Sequence, residues 1–310
     1  MSLNKELWLK TIEEIIYPEN NFYNQSVDHT AQGAIFGKTV HIPNAGAFTT
    51  AVVTDPTVFP LTAEQRTDND LTYNLHTYAN VPLFVNFTEM HELSYDKVKS
   101  LVYQMTNNIE DKIANKTIFT WVNGLPSTSL VKGTGATRSG GNSYQTGNRS
   151  SLAFEDVVGA HKILDQQNVP RNGRKMLVSA QGYGDLMNMT KYNYAFIQLG
   201  TILEDGKVGT LLGADVYMRG TYNVAYNTSS ATFSEVTTAT SSAILSDFSI
   251  IWHPDFVSQC KGSIGNSGIQ LFERANDPLY LSDVVSCAVR HGSSRVRYDN
   301  YGVVAIYEGA

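Results

Sequence analysis

The stretch nearest to a nucleotide-binding motif is Gly37-Lys38-Thr39. In a phosphate loop, successive backbone N–H groups and a Lys surround phosphates at a helix N-terminus, and a glycine stands five residues before the Gly-Lys pair. Position 32 is Gln, and Val40-His41-Ile42-Pro43 reads as a strand rather than a helix, so no phosphate site is predicted. His91-Glu92 resembles the opening of a zinc-protease helix, in which a second His four residues on completes the ligand pair; position 95 is Tyr. The histidines, at 29, 41, 76, 91, 161, 253 and 291, have no ligand spacing, and no metal or cofactor is expected.

Nucleophile and dinucleotide signals fail in the same way. Gly265-Asn266-Ser267-Gly268 lacks the Gly-x-Ser-x-Gly spacing and the strand and helix that frame a nucleophile elbow. The Gly133–Gly147 segment is glycine-rich but has no βαβ surroundings, so it is expected to be a flexible connection. Glu110-Asp111 and Glu155-Asp156 are neighbours on predicted helices, point in different directions, and read as solvated faces. Cys260 and Cys287 have neither metal nor disulfide spacing and read as small core residues.

The elements that would have to position any chemistry are better defined than the chemistry. With 310 residues, 42% hydrophobic, 11% aromatic and 17% charged, the chain has the balance of a soluble globular protein, and its length suits one large domain or two ordinary ones. Its net charge of −6 gives no general attraction to polyanions. No run of about 18 apolar residues is present, so no spanning helix is predicted. Charges at Lys5, Glu6, Lys10, Glu13 and Glu14 break up any secretory signal, and the protein is expected to stay inside a cell.

Leu3–Ile16 has helical spacing that Pro18 ends. From 33 to 87 the pattern turns to strands: Val40 and Ile42 alternate, Val52-Val53 follow, and Leu71, Tyr73 and Leu75 alternate with polar residues, which predicts a long two-stranded excursion with a turn-rich tip. The strongest helix is predicted from about Ser94, as N-cap, to about Trp121, with Val98, Leu101, Val102, Met105, Ile109 and Ile113 on one stripe. A helix to about Asn168, a strand at 175–179, a short helix near 184–189, and strands at 210–218, 243–252 and 269–272 follow. Asn227–Ser242 reads as a surface loop or edge hairpin, and Val296–Tyr307 as a closing hairpin. The class is α+β.

This order of parts resembles the major capsid proteins of tailed phages, the Hong Kong 97-like fold. Val27-Asp28 leading through Gly37-Lys38-Thr39-Val40-His41-Ile42-Pro43 resembles the start of their extended loop. Ile163-Leu164-Asp165 through Val169-Pro170-Arg171-Asn172-Gly173-Arg174, before the strand at Met176, is similar to a signature of their axial domain. Gly209-Thr210-Leu211-Leu212-Gly213-Ala214-Asp215-Val216-Tyr217 and Arg297-Tyr298-Asp299-Asn300-Tyr301-Gly302-Val303 resemble its glycine-bounded strand and terminal hairpin.

The resemblance implies an N-terminal arm (1–36), an extended β loop (37–88), a peripheral domain with a spine helix (89–150), an axial domain (151–260) and a return to the peripheral domain (261–310). It implies a non-enzymatic subunit that self-assembles through hexamers and pentamers into an icosahedral head around double-stranded DNA. Phe48, Val52, Val58, Phe59, Leu61 and Arg66 would form the subunit interface of the extended loop. A separate scaffold protein and a portal would be its partners, DNA would be contacted only weakly, and the virion, assembled in the host cytoplasm, would be its location. The only lysine of the extended loop is Lys38 at its base, so no Lys–Asn crosslink is expected. The same fold also serves encapsulin-like nanocompartment shells. An α+β hydrolase would instead need a polar pocket around Tyr183, Asp185 or His161.

Overall fold

The computed structural model describes residues 17–30, 38–46, 65–86, 97–188, 197–203, 207–220, 222–236, 242–262, 269–277 and 282–309. The predicted helix at 3–16, the Ser94 cap and the Val52-Val53 strand lie outside them. The first half of the chain runs β1 (Val27–Asp28), β2 (Thr39–Asn44), β3 (Asn69–Asn74), β4 (His76–Ala79), β5 (Leu83–Asn86), α1 (Lys97–Val122), β6 (Leu130–Lys132), β7 (Thr137–Ser139), β8 (Asn148–Ser150) and α2 (Phe154–Gln166). Then come β9 (Lys175–Ser179), α3 (Ala180–Met187), β10 (Ile197–Leu203), β11 (Lys207–Leu211), β12 (Ala214–Arg219), β13 (Val224–Asn227) and β14 (Thr232–Glu235). The last are β15 (Leu245–Ser246), β16 (Phe248–Trp252), β17 (Val257–Gly262), β18 (Gln270–Asp277), β19 (Ser282–Arg295) and β20 (Val303–Tyr307).

A seven-stranded sheet has the order β10-β11-β12-β9-β16-β20-β6. Its central strands are apolar on both faces because both faces are covered. Met176, Val178, Ile251, Val304 and Ile306 point to the side where α2 packs through Val157, Ala160 and Leu164. Leu177, Ile250, Trp252, Val303 and Ala305 point the other way, into an aromatic cluster with Phe22, Trp121 and Tyr217. The second sheet is organised around β19, with β17 and β18 along one edge and β4 and β5 along the other.

Helix α1 joins the two. At 26 residues it spans about 39 Å. Met105, Ile109 and Ile113, spaced by four, pack on Val285, Cys287 and Val289 of β19. One turn further on, Ala114, Ile118, Trp121 and Val122 enter the aromatic cluster of the seven-stranded sheet. The excursion is a ribbon at its base: β2 and β3 pair antiparallel from Thr39 opposite Asn74 to Asn44 opposite Asn69. Val40, Ile42, Tyr73 and Leu75 anchor the ribbon on Cys260.

Several expectations are corrected. The predicted strand at 210–218 is the hairpin β11–β12, because Leu212 (φ 51°) and Gly213 (φ 81°) both turn through the left-handed region favoured in tight hairpins. Val296–Tyr307 is not a closing hairpin. Within 261–310, β18 and β19 build the β19 sheet, whereas β20 pairs antiparallel with β16 and parallel with β6. Four consecutive residues, Val303–Ile306, are buried and require cover on both faces. The bend before them needs Gly302, at φ 89°, where a Cβ would come within 2.2 Å of the Phe256 ring. The stretch 227–242 supplies the edge strand of the hairpin β13–β14, as one of its two readings had it, whereas the supposed flexible connection contains most of the hairpin β7–β8.

Candidate assembly interface and buried polar junction

The outer end of the ribbon carries the only predicted interface residue among those described. Arg66 is exposed, and its Nε lies 2.6 Å from Asp68, which also accepts the Gly46 amide at 3.0 Å. The Arg66 hydrogen bond and backbone amide hold the Asp68 carboxyl below its ordinary range. Arg66 is thus engaged within its own loop. Beside it, His41 Nδ1 meets Asp70 at 2.7 Å. Phe48, Val52, Val58, Phe59 and Leu61 lie outside the described residues.

A second surface was not anticipated from the sequence. On the β19 sheet, Phe84 stands opposite Val284 and Phe272 opposite Ser286, on the face away from Val285, Cys287 and α1. Phe84 is 58% and Phe272 45% exposed. A sheet that covers one face with a helix ordinarily shows polar residues on the other, so exposed rings there are features of interaction surfaces. The signal was the run Leu83-Phe84-Val85, apolar at every position instead of every second one.

The chemistry-bearing residues gather elsewhere, in the interior. Arg138 on β7 donates from Nε and Nη2 to Asp185 of α3 at 2.9 and 2.8 Å, and from Nη2 to Glu308 just after β20. Glu308 also accepts from the Gln145 amide at 2.6 Å, and Asp185 from the Leu152 backbone N–H at 3.0 Å. Glu308 N–H donates to the Asp247 carbonyl at 3.0 Å, so the two acids stand opposite each other just beyond the Phe248–Tyr307 pair. Asp247 accepts from the Phe248 amide at 2.9 Å and, at 3.4 Å, from the Tyr144 hydroxyl. Burial, then the facing Glu308, push the Asp247 carboxyl up to about 7, against the pull of hydrogen bonds from Ser179, Phe248 and Asn142. Burial and the Asp247 and Glu308 charges push the Tyr144 hydroxyl up as well. A void of about 10 Å³ lies among Ser179, Asp185, Asp247 and Glu308, room for one water.

Of the three residues named for a hydrolase pocket, Tyr183 packs against the apolar cluster beneath α2. Asp185 is occupied by Arg138 and Leu152, as above. His161 Nδ1 lies 3.1 Å from Arg174, and burial together with that cation brings its imidazole down to about 4. No hydrogen bond joins the two residues among those described, and no group of three metal-ligating side chains is found there. Of the acid pairs, Glu155 is exposed as a solvated face would be, but Asp156 and Asp111 are engaged in the interior. Asp156, 4% exposed, accepts from the backbone N–H groups of Ala153 and Thr134 and pins the 133–136 segment to the start of α2. Asp111 meets the buried Arg219 at 2.5 Å. In the 163–174 stretch, Arg174 holds the turn together by donating to the carbonyls of Val169 and Pro170 and to Asp165.

No protein-family model matches the chain, and no curated protein sequence does. Solved structures do, along its whole length. A structure titled for Mycobacterium phage Che8 covers 98% of this chain with 97% of its own, at 17% identity and a TM-score of 0.64. The capsid structure of cyanophage P-SCSP1u covers 98% with 93% of its own, at 15% identity and a TM-score of 0.67. The capsid asymmetric unit of cyanophage Pam1 covers 99% with 97% of its own, at 11% identity and a TM-score of 0.68. The chain has the Hong Kong 97-like α+β fold of tailed-phage capsid proteins.

Proposed function

We propose that the chain is a major capsid protein, a non-enzymatic subunit that self-associates through hexamers and pentamers into an icosahedral virion shell around double-stranded DNA. The observation that carries this reading is coverage in both directions: 98–99% of this chain against 93–97% of two phage capsid chains. The architecture agrees with it. A ribbon based on β2 and β3 leads to a loop bearing Phe48, Val52, Val58, Phe59, Leu61 and Arg66, and a neighbouring subunit would bury those apolar residues.

In this reading 1–36 is the arm, 37–88 the extended loop, 89–150 the peripheral domain with α1 as its spine, and 151–260 the axial domain. The 261–310 tail returns to the peripheral sheet through β18 and β19 before β20 closes the axial one. The net charge of −6 suits a lumen that holds DNA loosely. A separate scaffold and a portal would act during assembly in the host cytoplasm.

Size-exclusion chromatography with negative-stain microscopy, on the chain alone and with its neighbouring gene products, tests the proposal. Closed isometric particles that package DNA in the presence of those products are expected. Particles filled with an enzyme cargo would instead mark a nanocompartment, and a small oligomer under every condition would refute the shell.

A further inference from the structure

The polar junction holds three carboxylates, Asp185, Asp247 and Glu308, around one cation, Arg138. Fully ionised, that is 1 − 3 = −2, with the three acids lining a void of about 10 Å³. Arg138 and the Gln145 amide satisfy Asp185 and Glu308. Among the described residues Asp247 pairs with no cation, and it faces Glu308 from the neighbouring strand, where like charges repel. The groups facing Asp247 come from every surrounding element. They are Tyr144 and Asn142 from the β7–β8 connection, Ser179 at the start of α3, Glu308 after β20, and the fully buried Tyr222, whose hydroxyl has no hydrogen-bond partner. Arg219 faces Tyr222 rather than the acid.

Three pieces of chain converge at this point without an apolar core of their own. The β7–β8 hairpin is tied down by Arg138, by Gln145 and by Arg149, which donates to the carbonyls of Ala243 and Leu245 at 2.7 and 3.0 Å. The C-terminal residues are held by Glu308 and by Gly309, whose carbonyl accepts from Ser150 at 2.8 Å. The 242–247 segment carries Asp247 itself.

We propose that this junction is a proton-operated latch: Asp247 keeps its proton while the β7–β8 hairpin and the C-terminal residues are docked on the seven-stranded sheet, and releases it to solvent when they loosen. Docking and protonation are linked in one direction. Between the ordinary carboxylate value near 3.8 and the raised one near 7, the docked form binds the proton and the open form does not. Docking is therefore firm in acid, weakens as pH rises through that window, and loses no more above it. The inference stands whether or not the chain builds a shell.

Hydrogen exchange of the full chain, read by mass spectrometry and corrected for intrinsic rates, tests it. Local readout matters because His161 and His291, buried and each brought down to about 4, act oppositely on global stability, which they lower as pH falls below 6.5. In the wild type, protection of 137–150 and 308–309 is expected to fall about tenfold or more between about pH 5 and about pH 7, while that of 109–118 of α1 does not fall. D247N, a neutral isostere, is expected to make that protection independent of pH. E308Q keeps Asp247 but removes the facing charge, and is expected to move the loss to lower pH. Wild-type protection that does not change with pH overturns the latch even if neither variant folds. So does a pH dependence that D247N retains, or a midpoint that E308Q leaves in place.

Discussion

Two arginines show how differently one residue type can matter here. The Arg138 side chain is 17% exposed, and its carboxylate partners Asp185 and Glu308 are 7% and 9% exposed. Removing it strands two buried charges, a change that costs about 3–5 kcal/mol. Arg171 also sits 2.7 Å from a carboxylate, Asp165, but is 82% exposed. Solvent and salt screen that pair, and Asp165 keeps Arg174, so its loss should leave stability close to that of the wild type. Denaturant unfolding should therefore find R138A about 3–5 kcal/mol less stable than the wild type and R171A close to it. R138K should not recover the difference, because an ammonium cannot present the parallel Nε and Nη2 donors that Asp185 accepts. An R138A chain as stable as the wild type would show that the junction holds nothing together.

At the scale of elements, α1 belongs to two cores at once. Ile109, 3% exposed, reaches only the β19 sheet, whereas Ile118 reaches only the aromatic cluster. I109A should cost about 2–5 kcal/mol by leaving a cavity, and should loosen amides of 285–289 while those of β9 stay protected. Hydrogen exchange that rises equally in both sheets would mean that α1 does not divide its packing this way. The helix was legible in the sequence because its contacts repeat every four residues, and so was the β2–β3 ribbon, whose Val40, Ile42, Tyr73 and Leu75 alternate. The β7–β8 hairpin was not legible. Residues 133–149 carry almost no apolar pattern, and their order comes from Arg138 and Arg149 bonding to carboxylates and carbonyls more than 40 residues away in sequence. The placement of β20 escaped for a related reason. Val303, Ala305 and Tyr307 alternate as a two-faced hairpin strand would, and only the burial of Val304 and Ile306 as well reveals a strand covered on both sides. The polar junction was glimpsed through Asp185 alone, since its members come from five separate stretches of chain.

For the whole molecule, the question is whether the segment proposed to bind a neighbour can be removed without harming the subunit. The ribbon supplies a clean place to cut, because Asn44 and Asn69 face each other at the end of the β2–β3 ladder. Replacing 45–68 by Asn-Gly joins them through a two-residue turn that suits the twist of antiparallel strands. Of the described contacts this removes the exposed Arg66–Asp68 pair, which solvent screens, and it alters a loop closure whose cost changes only slowly with length. The unfolding midpoint should stay close to that of the wild type. Between subunits the loss is larger. Each of Phe48 and Phe59 would bury about 150–250 Å² against a neighbour, which at about 25 cal/mol per Å² is about 4–6 kcal/mol before ordering costs, and Val52, Val58 and Leu61 add to it. Because a closed shell repeats the contact at every subunit, even part of that loss should abolish assembly. Sedimentation velocity should then find the shortened chain folded but small under conditions in which the wild type forms particles. R66A alone should assemble normally, since its partner is in its own loop. Shells formed as readily by the shortened chain would move the interface to the exposed Phe84 and Phe272 face of the β19 sheet, an apolar surface among the described residues that a neighbour could cover.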